Sequence, residues 1–131
     1  GYFETWWSVN PHWTADYTDL PNHPITRQIQ PFSLLDEWYF HIRFLDRGVT
    51  PILRAIAPAS TMERKNGPHS GNDVTRHMVD EGVPQVTAWA YERPTGGRGF
   101  GYTGGHFHAN WENAHARELV LNAIEWVAIT P

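Results

Sequence analysis

Two histidines, His106 and His108, carry the clearest chemical signal in this chain. They follow a glycine-rich, strand-like run, and a helical pattern begins soon after them. Ligands of open α/β sheets bind outside the carboxyl ends of strands, and side chains two residues apart on an extended chain point the same way. Neutral imidazoles on one face suit a divalent metal such as zinc, or an acid and its base. The spacing predicts a catalytic or metal site, with structural histidines as the alternative.

Two glycines, Gly104 and Gly105, directly precede His106. Glycine permits unusual dihedral angles and lets the backbone approach a ligand closely. The pair lies just before a predicted helix N-terminus, where free N–H groups attract negative charge. We therefore expect the glycines to contact a substrate and to stabilise charge on a carbonyl oxygen. An ordinary strand-to-helix turn explains them equally well.

A carboxylate and an imidazole flank the aromatic run at residues 38–40. Glu37 and His41 are four residues apart, so they share a face if this segment is a strand. We predict that Glu37 acts as a catalytic acid or base with the two histidines, and that His41 contacts the substrate. Glu4 and His12, in the aromatic amino-terminal segment, are further candidates. Ordinary polarity at a sheet edge is the competing interpretation.

Composition limits the classes of function open to the chain. Its 131 residues suit one domain with a buried core. The absence of cysteine excludes disulfides, zinc–thiolate sites and a cysteine nucleophile. A net charge of −4 without a basic stripe argues against a nucleic-acid partner, and no apolar run is long enough to cross a membrane. Cytoplasm and periplasm both fit, so the localisation stays open.

Aromatic residues are frequent, with seven tryptophans, five tyrosines and six phenylalanines. Aromatic side chains dominate the burial of apolar surface in cores, and they also form flat platforms for sugar rings. An aromatic core is the simpler interpretation. The alternative is a carbohydrate site, for which we predict contacts from Trp6, Trp13, Trp38 and Trp111.

Periodicity predicts several strands followed by one long helix. Alternating or β-branched runs predict strands, and they cover residues 13–17, 32–35, 37–44, 50–56, 85–91 and 98–103. A helical turn is expected at 22–27, and a polar loop at 58–81 with a short helix near 73–78. The final helix carries an apolar stripe with helical period, made of Ala116, Leu119, Val120, Ala123, Ile124 and Val127. Asn122 lies off that stripe. This order predicts an α/β or α+β protein.

Several of these runs resemble one known family. The runs are residues 24–27 (PITR), 36–40 (DEWYF), 88–94 (AWAYERP) and 96–108 (GGRGFGYTGGHFH), with 119–126 (LVLNAIEW) as the closing helix. Together they resemble the ThuA-like (trehalose utilization) family. The resemblance covers essentially the whole chain, and its motifs are long.

The resemblance implies an α/β, flavodoxin-like fold of the class I glutamine amidotransferase-like kind, with a mixed sheet and a long C-terminal helix. Residues 1–131 resemble the C-terminal half of such a domain, as a single domain lacking the usual N-terminal half. A half-sheet leaves an unpaired edge and an uncovered apolar face, so we expect a homodimer or a higher homo-oligomer.

The resemblance also bears on chemistry. Where amidotransferases carry a Phe-His-Pro-Glu-like run, this chain has residues 107–110 (FHAN), so His108 matches the histidine but Asn110 replaces the glutamate. Cysteine is absent too, which excludes glutamine hydrolysis by a Cys-His-Glu triad.

The resemblance implies a carbohydrate-active enzyme that hydrolyses or isomerises a disaccharide or keto-sugar derivative, with a metal on His106 and His108 to polarise a carbonyl. One alternative is a non-catalytic sugar-binding module. Another is an ester or lactone hydrolase that uses a water activated by histidine or by metal, because no Gly-x-Ser-x-Gly run is present.

Overall fold

The strands form two separate antiparallel sheets in a computed structural model, which describes residues 1–3, 8–44 and 47–129. The first sheet pairs β1 with β2, and the second has the order β3-β4-β5. Their bounds are β1 His12–Tyr17, β2 Phe32–Glu37, β3 Val49–Ala55, β4 Gln85–Glu92 and β5 Arg98–Tyr102. The chain is thus an α/β protein, but each pairing of these strands is antiparallel. The expected mixed sheet is wrong for the described residues, and for β4 and β5 the reason is the short turn at 93–97, which can join only antiparallel neighbours.

Two α-helices complete the fold: α1 Asp73–Asp80 and α2 Ala114–Ala128. Both begin at an asparagine cap. The side chain of Asn72 accepts the N–H of Thr75, and that of Asn113 accepts the N–H groups of His115 and Ala116. Such caps satisfy backbone donors that have no partner inside the helix. Short 3-10 turns lie at Pro24–Thr26, Ala59–Met62 and His108–Glu112. No helix in the described part of the chain is both long and apolar enough to span a membrane.

Aromatic side chains fill much of the core, as the simpler interpretation of their high frequency predicts. Tyr17 and Trp38 are fully buried, and their rings meet edge to face at 5.8 Å between centroids. The Tyr17 and Thr87 hydroxyls share a hydrogen bond of 2.9 Å across the two sheets. Trp13 is buried as well. Trp13 and Trp38 therefore offer no exposed ring face to a sugar, contrary to the expectation, while Trp6 lies outside the described residues.

Strand β2 ends at Glu37, but the N–H groups of Trp38 and Phe40 still donate to the carbonyls of Pro11 and Val9, so the chain stays paired as far as Phe40. The predicted strand over 37–44 is wrong beyond that residue. Trp38 turns into the core, where its indole N–H donates to the carbonyl of Leu34. His41 has a φ of +53°, a left-handed conformation that no strand residue adopts. Because the chain turns at His41, Glu37 and His41 do not share a strand face.

Helix α2 packs with a buried face that differs from the predicted stripe. Ala116, Leu119 and Ala123 are buried as expected. Ile124 is 60% exposed, however, while Asn122 is buried. The reason is a polar contact. The Asn122 side-chain amide donates to the backbone carbonyls of Ile25 and Arg27, in and just after the Pro24–Thr26 turn. Asn122 rather than Ile124 therefore faces inward.

Candidate functional site

The pairing of β1 with β2 places a histidine opposite a glutamate. His12 and Glu37 are direct partners in the antiparallel register. Directly opposite residues on one face of an antiparallel pair have close Cβ atoms. The side chains accordingly meet, with His12 Nε2 3.7 Å from Glu37 Oε2. The strand register thus fixes the first half of the site.

A loop brings a second histidine to the same carboxylate oxygen. His106 lies between β5 and the 3-10 turn, and its Nδ1 is 3.7 Å from Glu37 Oε2. The two imidazole centroids are 5.3 Å apart, and the potential ligand atoms of the three residues all lie within 4.8 Å of one another. We refer to His12, Glu37 and His106 as the His–Glu–His cluster.

A buried carboxyl group, Asp36, holds the loop that carries His106. Asp36 is 0% exposed. Its Oδ2 accepts the N–H of Gly105 at 2.6 Å and the side-chain amide of Asn110 at 2.9 Å, and its Oδ1 accepts the N–H of Phe107 at 3.3 Å. Because all these partners are N–H donors, both oxygens act as acceptors, as in a carboxylate. The bonds on either side of His106 fix its place in the cluster.

The hydrogen bonds of Asp36 change the interpretation of Gly104 and Gly105, which we expected to contact a substrate. The N–H of Gly105 is directed at Asp36, so the anion that this amide binds is the chain's own carboxylate rather than a substrate. Gly105 has a φ of +102°, which favours glycine. A Cβ on Gly104 would lie 2.8 Å from Trp38, so that position also needs glycine for packing.

His106 and His108 do not share a face as predicted. Strand β5 ends at Tyr102, and His108 begins the His108–Glu112 turn. The chain between them is therefore not extended, and the alternation of a strand does not apply. His106 joins the His–Glu–His cluster, whereas His108 is exposed and lies outside that group of potential ligands among the described residues.

A tyrosine supports the carboxylate of the cluster. Tyr39 forms a side-chain hydrogen bond with Glu37. Burial raises the pKa of the Tyr39 phenol, and the Glu37 charge and this hydrogen bond raise the pKa further. The phenol therefore stays protonated and donates to Glu37, which restricts the orientation of the carboxylate.

One side of the cluster is open to solvent. The His12 and His106 side chains are each 49% exposed, while that of Glu37 is 19% exposed. The Phe107 ring packs against both imidazoles, at 4.9 Å from His12 and 5.1 Å from His106. The site has one apolar wall, a half-buried carboxylate and two imidazoles that solvent or a ligand can reach.

The other predicted contacts lie apart from this group. The backbone N–H of His41 donates to the Gln85 side chain, and its ring lies 3.1 Å from an Arg43 nitrogen. Trp111 is 39% exposed, and its ring packs edge to face with Tyr102. Of the tryptophans predicted to contact a sugar, it is the one that the described structure leaves accessible. Glu4 lies outside the described residues.

Sequence reasoning missed two contributors, Asp36 and Tyr39. The signal for Asp36 was present, because β2 alternates and places it on the buried face with Leu34. A carboxyl group at an inward position needs hydrogen-bond donors, and a glycine-rich loop rich in free N–H groups can supply them. The signal for Tyr39 was its position two residues after Glu37, because side chains two apart on an extended, paired chain point the same way.

Comparison with known proteins gives one family. The model of the ThuA family, described as trehalose utilisation, matches residues 2–127. That match covers nearly the whole chain. Comparison with the curated proteins gives no match, and comparison with the solved structures gives none.

Proposed function

Because this chain belongs to the ThuA family, we propose that it is an enzyme of carbohydrate metabolism. We propose as its substrate a disaccharide or a keto-sugar derivative, and as its reaction hydrolysis or isomerisation. The observation that carries this proposal is the His–Glu–His cluster, in which two imidazoles approach one carboxylate oxygen at 3.7 Å each. The family's description supports the class of substrate.

The cluster has the groups that either reaction needs. Isomerisation next to a carbonyl requires a base to remove a proton from carbon and an acid to protonate the oxygen. Hydrolysis requires a base to activate water and an acid to protonate the leaving oxygen. Glu37 and the two imidazoles flanking it can divide these roles. The separations of 3.7 Å exceed hydrogen-bond length, so the groups do not bond to one another directly, and a water or a substrate hydroxyl can bridge them from the open side of the cluster.

The proposal is tested by product analysis with a matched pair of variants. Purified protein is incubated with trehalose, other disaccharides and their keto derivatives, and the products are separated by chromatography. Glu37→Gln keeps the size of the side chain but removes the base, so we expect turnover to fall by about 100-fold or more. Asp16→Asn changes an exposed carboxylate on the neighbouring strand β1 and should leave turnover unchanged.

Other results would contradict the proposal in distinct ways. If Glu37→Gln turns over substrate within about twofold of the parent protein, the cluster takes no part in the reaction. Sugar binding without turnover, lost in Trp111→Ala, would favour a non-catalytic binding module. Conversion of esters or lactones with no conversion of sugars would favour the alternative hydrolase. Flavodoxin-like topology and association of two copies stay predictions of the family resemblance.

A further inference from the structure

We propose that the His–Glu–His cluster binds one divalent transition metal such as zinc, through His12 Nε2, Glu37 Oε2 and His106 Nδ1. This ligand set replaces the pair His106 and His108 that the sequence spacing favours. The inference deepens the proposed function, on which it rests for the use of the metal. Metal binding itself needs no turnover and is measured separately.

The donor set matches zinc chemistry. Zinc takes imidazole nitrogen and carboxylate oxygen, and sites with two histidines and one glutamate leave a fourth position for water or substrate. A chain without cysteine has no thiolate to offer, so this is the type of zinc site open to it. Here the exposed side of the imidazoles lies where the fourth ligand would enter. A metal there would polarise a carbonyl oxygen of a bound sugar derivative, and a water bound to it would act as base in place of the three side chains, which would then be occupied as ligands.

The distances require only small adjustments. Metal–ligand bonds of about 2.0–2.2 Å put neighbouring ligand atoms of a tetrahedral site about 3.3–3.6 Å apart. The Glu37 oxygen is already 3.7 Å from each histidine nitrogen. The cluster as a whole spans no more than 4.8 Å. The nitrogens therefore have to approach by about 1.5 Å at most, which rotation of two half-exposed rings supplies.

The supporting structure favours binding because it already holds the ligands. The strand register places His12 opposite Glu37, and the Asp36 hydrogen bonds fix the loop of His106. Tyr39 orients the ligating carboxylate. Groups that hydrogen-bond to metal ligands fix their direction, and their loss costs about 10–100-fold in affinity. A cluster carried by two paired strands and an anchored loop thus loses little freedom when the metal binds.

The test is metal binding to single variants. Protein stripped with a chelator is titrated with Zn²⁺ by calorimetry and with Co²⁺ by visible absorption, which reports tetrahedral coordination. We expect one equivalent of metal in the parent protein. We expect affinity at least about 100-fold weaker in His12→Ala and in Glu37→Gln, because loss of a ligand exceeds loss of a supporting group. His77→Ala, in the exposed part of α1, is the matched control.

His108→Ala separates the two ligand sets. Parent-like affinity in this variant, with weak binding in His12→Ala, supports the proposed ligands. Weak binding in His108→Ala with parent-like binding in His12→Ala overturns them in favour of the histidine pair, and no binding by the parent protein overturns the metal site. Tight binding without sugar turnover refutes the proposed function but not the metal site. Turnover that survives removal of the metal by a chelator refutes a role of the metal in the reaction but leaves the acid–base reaction standing.

Discussion

The substitution Asp36→Asn removes half of the acceptor capacity that holds the loop of residues 104–110. In the native chain Oδ1 accepts the N–H groups of Glu37 and Phe107, at 2.8 and 3.3 Å. Oδ2 accepts the N–H groups of Gly105 and the Asn110 side chain, at 2.6 and 2.9 Å. Asparagine retains one oxygen, so its amide nitrogen must face two of these four donors. The shape of the side chain is kept, and the loss is therefore electrostatic.

The expected loss of stability follows from those four bonds. A hydrogen bond to a charged group contributes about 1.5–3 kcal/mol, so losing two removes about 3–6 kcal/mol. Asp36→Asn also removes the penalty of burying a charge, which offsets part of the loss. We expect a net decrease of about 2–4 kcal/mol in the free energy of unfolding, out of about 5–15 kcal/mol for a typical domain.

The assay is urea unfolding followed by tryptophan fluorescence. With a slope of about 2 kcal/mol per molar urea, the midpoint should fall by about 1–2 M in Asp36→Asn. Asp16→Asn is the control. Its exposed carboxylate accepts a hydrogen bond from Ser33 at the protein surface, and its loss should change stability by less than about 0.5 kcal/mol. The amide proton of Gly105 should also lose its downfield NMR shift in Asp36→Asn.

One result would refute this reasoning. If Asp36→Asn unfolds within about 0.5 kcal/mol of the parent protein and the Gly105 amide resonance does not move, the carboxylate does not hold the loop. The position of His106 beside Glu37 would then need another cause.

Two further predictions concern the elements around the site. Asn122→Ala removes a buried amide that donates to the carbonyls of Ile25 and Arg27, and should lower stability by about 1–3 kcal/mol in urea unfolding, whereas Glu125→Ala at an exposed ion pair should change it little. Burial lowers the pKa of His23, whose ring accepts the N–H of Ile25, so the unfolded chain binds this proton more readily than the folded one. This part of the stability is complete above about pH 6.5, the pKa in the unfolded chain, and is lost as the pH falls from there through the lower pKa of the folded state. His23→Asn keeps a capping oxygen and should show a smaller loss of stability between about pH 7.5 and 5.5, and an unchanged loss would contradict the assignment.

Local patterns predicted most of the elements but not where the chain leaves a sheet. The strands at 12–17, 85–92 and 98–102 and the helices at 73–80 and 114–128 follow from alternation or helical period within their own segments. The run at 37–44 also has strand-like composition, and its pairing continues to Phe40, but the chain turns at His41, whose φ is +53°. The His41 N–H donates to the side chain of Gln85, a partner distant in sequence, so the local pattern does not predict this turn.

The sequence predicts those parts of the site that depend on single residues and their neighbours in the chain. His106 and Glu37 were identified from their type and setting, and the structure brings them together. The partnership of His12 with Glu37 depends on which residue of β1 faces which residue of β2. The register is set by the burial of a whole strand face, so no single residue type predicts it. The local spacing therefore favours His108 as the partner of His106, whereas the structure places His12 there.

Strand β2 ends in two adjacent carboxyl groups, and the two-residue period of a strand gives them separate tasks. Asp36 points inward and binds the loop of His106, while Glu37 points outward and meets the two imidazoles. Neighbouring side chains on a strand lie on opposite faces. A slip of one residue in the β1–β2 register would therefore turn Glu37 inward and Asp36 outward. The loop anchor and the cluster would be lost together, so the same register that builds the core also assembles the site.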